Sequence, residues 1–270
     1  MHVLLTNDDG YASAGLRALR DALLARGAKV TVVAPTANRS GIARGITLQD
    51  EVQLEQVDDV GGPVFACSGT PVDCVRIGLL GDLDGRPDLV VSGINHGTNL
   101  GDDATYSGTV GAAAEASLLG WPAVSFAQQT CDGGLRFRDT ERPIEFPHGE
   151  LAARIVLAVG ANPPPSRSVV NVNFPPGTPT ELVLALPGRR DYASCTLTPR
   201  QLGAGVTTFL VYGTPDDPPI PYEETPGTDF VALAAGLTPL TVLPVGWQQL
   251  DGGVGVSTWF DGLALESPAV

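Results

Sequence analysis

Positive charge is scarce in this sequence. Lys and Arg number 16 against 30 Asp and Glu, the formal net charge is −14, and Lys29 is the one lysine among 270 residues. This excludes the basic footprint that duplex nucleic acid requires. An anionic substrate would be repelled by the overall field, so it needs a local counter-charge, which a bound divalent cation supplies. Cysteine is sparse too. Cys67, Cys74, Cys131 and Cys195 show neither the spacing of a zinc pair nor a CxxC motif, which points to unpaired thiols in a reducing compartment. No apolar run approaches the length of a membrane span. The opening residues MHVLLTNDDG lack a basic start and turn acidic at once, unlike a secretory leader. The expectation is a soluble cytoplasmic protein with neither membrane nor duplex nucleic acid as partner. GxGxxG is missing from the first strand-to-helix turn, and no GxSxG elbow is present.

What the sequence does contain is globular in character, with 43% hydrophobic and 17% charged residues, and 33 Gly and 23 Pro to punctuate loops. HVLLT (2–6) reads as a buried strand, AGLRALRDALLAR (14–26) as an amphipathic helix and KVTVVA (29–34) as a second strand. That is a βαβ unit. Residues 46–67 predict short hairpin strands, and TPVDCVRIGLL (70–80) a helix with Pro in its first turn. DLVVS (88–92), AVSF (123–126) and VVNVN (169–173) predict strands, and 109–119 and 150–159 predict helices. After about residue 175 the periodicity weakens, with short strands expected at 181–186, 207–212 and 240–243. The pattern is α/β: a Rossmann-like three-layer αβα core over residues 1–175 with a mostly parallel sheet, then a β-rich C-terminal region, 176–270.

In such sheets ligands bind beyond the carboxyl ends of the strands. Asp8 and Asp9 follow the first strand directly. Adjacent carboxylates repel unless a cation sits between them, although Asn-Asp-Asp-Gly is equally good turn chemistry. Ser40 and Asn95, in the loops after 29–34 and 88–92, can supply neutral oxygen ligands, and Arg39 can pair with phosphate. Asn99 lies in a Gly-rich stretch that permits close approach to a ligand. Ser107, Gly108 and Thr109 open a helix, where free N–H groups cradle anions and where Ser or Thr also serves as a cap.

Taken together, LLTNDDGYASAGLRAL, VTVVAPTANRSG, SGTPVDCV, DLVVSGINHGTNLGDDATYSGTVGAAAEA and GTDF resemble the stationary-phase survival protein SurE family. The resemblance is dense over residues 3 to about 127 and sparse afterwards. It implies a phosphatase acting on nucleoside 5′- and 3′-monophosphates, with short polyphosphate as a further substrate of some members. It implies a divalent cation, Mn²⁺ or Mg²⁺, held by Asp8, Asp9, Ser40 and Asn95, with Asp8 and Asp9 catalytic. Asn99, Ser107, Gly108 and Thr109 would bind phosphate. It also implies a homodimer or homotetramer in which the C-terminal region contributes to assembly. The sequence departs from the family at Ile42-Ala43-Arg44-Gly45, where Arg44 stands in place of a usual His, a difference that bears on substrate preference. A haloacid-dehalogenase-like phosphatase requires Asp-x-Asp after the first strand and a Lys partner, whereas here the acids are adjacent; a receiver domain requires an Asp after its third strand and a Lys after its fifth, and Ser92-Gly93 and Ala-Gln-Gln follow the strands here. A non-catalytic nucleotide sensor on the same fold is the remaining alternative.

Overall fold

A computed structural model describes residues 1–58, 61–129, 145–178, 180–194, 197, 199–203, 205–209, 211 and 220–246. Cys131, Cys195, the end of the strand expected at 207–212, and everything after residue 246 lie outside the described residues.

Six strands run parallel: β1 (His2–Thr6), β2 (Lys29–Pro35), β4 (Val64–Cys67), β5 (Leu89–His96), β6 (Ala123–Gln128) and β7 (Ser168–Phe174). β3 (Leu54–Asp58) is an antiparallel edge strand beside β4. α1 (Ala14–Ala25) and α4 (Gly149–Ala161) cover one face, and α2 (Pro71–Leu80) and α3 (Gly108–Leu118) the other. Alternate residues of each strand serve opposite layers, which is why the strands read as unbroken apolar runs. Val3, Leu5, Val30, Val32 and Val91 pack against Leu16, Leu19, Leu23 and Val156, while Leu4, Val33 and Val90 pack against Cys74, Val75, Ala112 and Ala116. α2 starts where expected because Thr70 and Asp73 form a reciprocal capping box and Pro71 occupies the first turn.

The sheet order is β3-β4-β2-β1-β5-β6-β7-β11-β8, with β8 at Leu182–Leu184 and β11 at Thr238–Pro244. From β1 the chain builds outward through β2 and β4, then returns to the other side of β1 to lay down β5, β6 and β7. The direction therefore reverses at β1, and the loops after β1 and β5 diverge there and leave a crevice. β11 runs antiparallel beside β7 and β8 parallel beside β11, so part of the region after residue 175 continues the same sheet. β9 (Pro199–Gly203) and β10 (Val206–Phe209) form a separate hairpin. α5 (Asp229–Ala234) packs against β11.

β9 and α5 were not expected, and two of the expected strands differ in pairing or extent. β4, read as half of a hairpin, also pairs in parallel with β2 and so belongs to the main sheet. β5 does not stop at Ser92: after an irregularity it pairs with β6 again through Asn95 and His96. Gly93, with φ +125°, makes this detour possible, because a Cβ there would lie 2.3 Å from the Phe126 carbonyl oxygen. The Gly93–Ile94 peptide is cis.

His148, just before α4, is fully buried, stacks on Phe174 at 4.6 Å and donates from Nε2 to the Pro175 carbonyl at 2.9 Å. Burial lowers its pKa below 6.5. The unfolded chain therefore takes up the proton first as pH falls, and the stability present above pH 6.5 is lost below it. As pH is lowered from 7 to 5, the thermal midpoint of the wild type should drop relative to that of His148→Gln, whatever the trend common to both.

Candidate functional site

The turn after β1 is built by Asn7, not by the acids. Asn7 Nδ2 donates to the Gly10 carbonyl at 3.0 Å and to Ser13 Oγ at 2.7 Å, and Asn7 Oδ1 accepts the Gly10 N–H at 3.2 Å. Gly10 itself has φ +105°. Asp8 and Asp9 are thereby free for other partners.

Asp8 is 2% exposed. The Thr109 hydroxyl donates to its Oδ1, and the backbone N–H groups of Gly108 and Thr109 add to its support. Gly108 must be glycine for this approach, since a Cβ there would fall 2.8 Å from Asp8 Oδ2. Asp9 accepts the His96 N–H at 3.0 Å and lies 3.5 Å from Asn38 Nδ2. Burial raises the pKa of Asp8, opposed by the Thr109 and Gly108 bonds. Burial, and then the charge of Asp8, push Asp9 up to about 7. Among the described residues neither carboxylate takes part in an ion pair. A buried acid beside a half-buried one, with no cationic partner among the described residues, forms a place where a positive charge belongs.

Asn95 reaches the same point from β5. It is buried, its Oδ1 is 3.4 Å from the Thr109 hydroxyl, and its Nδ2 donates to the Gly97 carbonyl at 2.9 Å. Thr109 therefore ties together the ends of β1 and β5. The loop carrying Ser40 crosses the site: Arg39 N–H donates to the Asp8 carbonyl at 2.6 Å, and Ala43 N–H to the Tyr106 carbonyl at 3.0 Å. Ser40 is exposed at the rim, its N–H bonded to Asn38 Oδ1 at 2.8 Å and its side chain bonded to neither carboxylate. Arg39, read as a phosphate partner, instead donates from Nη2 to the Ser68 carbonyl at 2.9 Å and anchors its loop. Arg44 borders a groove of about 410 Å³ that runs along α3 past Ser107 and Gly111.

The residues expected to hold phosphate divide into two groups. Ser107 caps α3, its Oγ accepting Val110 N–H at 3.1 Å. With Gly108 and Thr109 turned to Asp8, the anion resident at this helix start is the protein's own carboxylate. Asn99 is held by its backbone: its N–H donates to Asn173 Oδ1 at 2.8 Å, and its carbonyl accepts from Asn171 at 2.9 Å and Asn173 at 3.1 Å. Its Nδ2 is buried with no partner among the described residues. Asn171 and Asn173 were missed in the sequence, although polar side chains inside an otherwise apolar buried strand were a readable signal.

No cluster of three or more His, Cys, Asp or Glu suited to a metal exists among the described residues. The donors gathered at the crevice are two carboxylates and an amide, with a hydroxyl at the rim. That all-oxygen set suits a hard cation rather than zinc. Thr109→Val should remove the hydroxyl from a buried carboxylate and cost about 1–3 kcal/mol in urea unfolding at pH 7.

Comparison with known proteins places this geometry. The profile described as survival protein SurE matches residues 3–194, which include every residue of the site. The chain is 40% identical over 266 residues to 5′-nucleotidase SurE of Rubrobacter xylanophilus, covering 96% of this chain and 97% of that protein. It is 38% identical over 282 residues to 5′-nucleotidase SurE of Stenotrophomonas maltophilia, covering both fully. The crystal structure of the SurE protein from Aquifex aeolicus superposes with a TM-score of 0.77 at 29% identity, over 97% of this chain and 100% of that one. The crevice at the end of β1 and β5 is thus set in a family framework that extends over most of the sequence, and the chain belongs to the survival protein SurE family.

Proposed function

We propose that this chain is a divalent-metal-dependent phosphomonoesterase that releases phosphate from nucleoside 5′-monophosphates. The observation that carries the reading is the pair of adjacent carboxylates at the strand-order reversal, Asp8 buried and Asp9 half-buried, with no cationic side chain among the described residues paired to them. The names of the similar proteins from Rubrobacter and Stenotrophomonas, both 5′-nucleotidases, support the substrate class.

Asp8, Asp9, Asn95 and Ser40 would hold the cation, Mn²⁺ or Mg²⁺. When bound, it neutralises phosphoryl charge and activates water. The chain's own groups do the rest. Thr109 and the start of α3 fix the Asp8 carboxylate in place at the end of β1. Asp9 is held against β5 by the His96 N–H. Asn99 Nδ2, a buried donor without a partner among the described residues, serves a phosphate oxygen, and Ser107, Gly108 and Thr109 contribute through the α3 dipole, since their N–H groups already hold the Ala104 carbonyl and Asp8. Nucleoside 3′-monophosphates and short polyphosphate belong to the same proposal, as do a cytoplasmic location and a homodimer or homotetramer assembled in part through residues 176–270. No helix among the described residues is long and apolar enough to cross a membrane.

Phosphate release from a panel of nucleoside 5′- and 3′-monophosphates, with Mn²⁺, Mg²⁺ or EDTA, tests the reading. Release should require metal and stop with chelator; absence of release under every metal would overturn it. Asp9→Asn should lower turnover by about 100-fold or more with the fold intact. Without metal, ionising Asp9 costs the folded state, because its pKa is about 7 there and about 3.9 in an unfolded chain. Stability of the metal-free protein should therefore fall as pH rises from about 4 to 7. The gain in thermal midpoint on adding Mn²⁺ should be larger at pH 7.5 than at pH 5, and Asp9→Asn should abolish that difference.

A further inference from the structure

Two motifs of the second half of the chain, LPGRR (186–190) and GTDF (227–230), contain no residue of the Asp8 site, yet the structure brings both onto the 3-10 helix Gly101–Tyr106. Arg190 is the centre of this contact. Its side chain is 0% exposed and pairs with Asp103, whose side chain is 2% exposed. Nε lies 3.2 Å from both Asp103 oxygens, Nη2 donates to Oδ2, and Nη1 donates to the Ile220 carbonyl at 2.7 Å. The guanidinium lies over the Phe230 ring at 4.6 Å. The Tyr192 hydroxyl donates to Asp103 Oδ1 at 2.5 Å, and Arg190 N–H donates to Asp102 Oδ2 at 3.0 Å. Asp229, from GTDF, accepts the N–H groups of Gly101 and Gly188, each at 2.8 Å. Gly101 and Gly188 touch so closely that a Cβ on Gly101 would lie 2.1 Å from the Gly188 carbonyl oxygen.

We propose that Arg190 is a positioning residue for the Asp8 site, acting through Asp103 and the 3-10 helix. Two chain connections carry the effect. The 3-10 helix passes directly into Ser107, the cap of α3, and the next two residues hold Asp8. The carbonyl of Tyr106, its last residue, accepts Ala43 N–H and so fixes the loop that carries Ser40. One clamp therefore sets two sides of the crevice. A buried ion pair is weak evidence for stability, because desolvation offsets its attraction, and apolar residues of the same size often stabilise as well. What a forked, fully bonded Arg supplies is a single register, and catalytic groups need placement to within about 0.5 Å. The inference rests on the reading of Asp8 as a working carboxylate.

The test uses Arg190→Lys, which keeps the charge and loses the fork, and Tyr192→Phe, which removes one bond to Asp103 and serves if the first variant does not fold. Val156→Ala, in the core on the far face of the sheet, is the control for lost stability. For the two clamp variants, kcat for Mn²⁺-dependent release from adenosine 5′-monophosphate should fall about 10-fold or more with KM within about threefold. Amide hydrogen exchange over residues 101–110 should accelerate about 10-fold or more. Val156→Ala should lower the thermal midpoint and leave kcat unchanged. Unchanged kcat in a folded clamp variant, or exchange over 101–110 equal to wild type, overturns the proposal. If the wild type itself releases no phosphate, the nucleotidase reading fails, and the exchange measurement still decides whether Arg190 orders the start of α3.

Discussion

A carboxylate excluded from water costs several kcal/mol unless hydrogen bonds or a cation replace its hydration, and Asp8 is excluded almost completely. Much of the carboxyl edge of this sheet follows from meeting that requirement. α3 has to begin against the end of β1, so residue 108 has to be glycine, and Thr109 has to place its hydroxyl between Asp8 and Asn95. The bulged end of β5 has to continue past Ser92 so that the His96 N–H can meet Asp9. Asn7 has to make the turn, so that neither acid is spent on it.

The electrostatics of the whole chain sharpen the point. A net charge of −14 leaves little positive potential to draw in a phosphate. Two arginines near the site are already engaged, Arg39 with the Ser68 carbonyl and Arg190 with Asp103. On the proposed function, the protein concentrates negative charge where the phosphate ester binds. That arrangement is coherent when a divalent cation stands between the two anions, and incoherent when the phosphate meets the acids directly.

Labour is divided along the chain. Residues 1–110 contribute the side chains that meet at the crevice, and later segments hold them in register. β7 supplies Asn171 and Asn173, which hold the backbone of Asn99 from below. Arg190, Tyr192 and Asp229 hold the 3-10 helix from the side. This explains how a segment whose strands extend the sheet by two edge positions also bears on a crevice several strands away.

The sequence by itself determined the layers. Apolar runs ending in polar turns marked β1, β2, β6 and β7, three-to-four-residue leucine spacing marked α1, and Thr-Pro marked α2, because burial on two faces or one dictates those periods. It also put two adjacent carboxylates, Asp8 and Asp9, directly after the first strand. Only the tertiary structure decided how the site is assembled. Whether NDDG was turn or site could not be read from composition, because Asn7 is a turn residue and a hydrogen-bonding side chain at once, and its partners at Gly10 and Ser13 appear only in three dimensions. The engagement of Thr109 with Asp8, 101 residues apart, the continuation of β5 beyond Gly93, and the pairing of Arg190 with Asp103 are long-range contacts. They depend on which strands lie side by side, and local residue patterns carry no information about that.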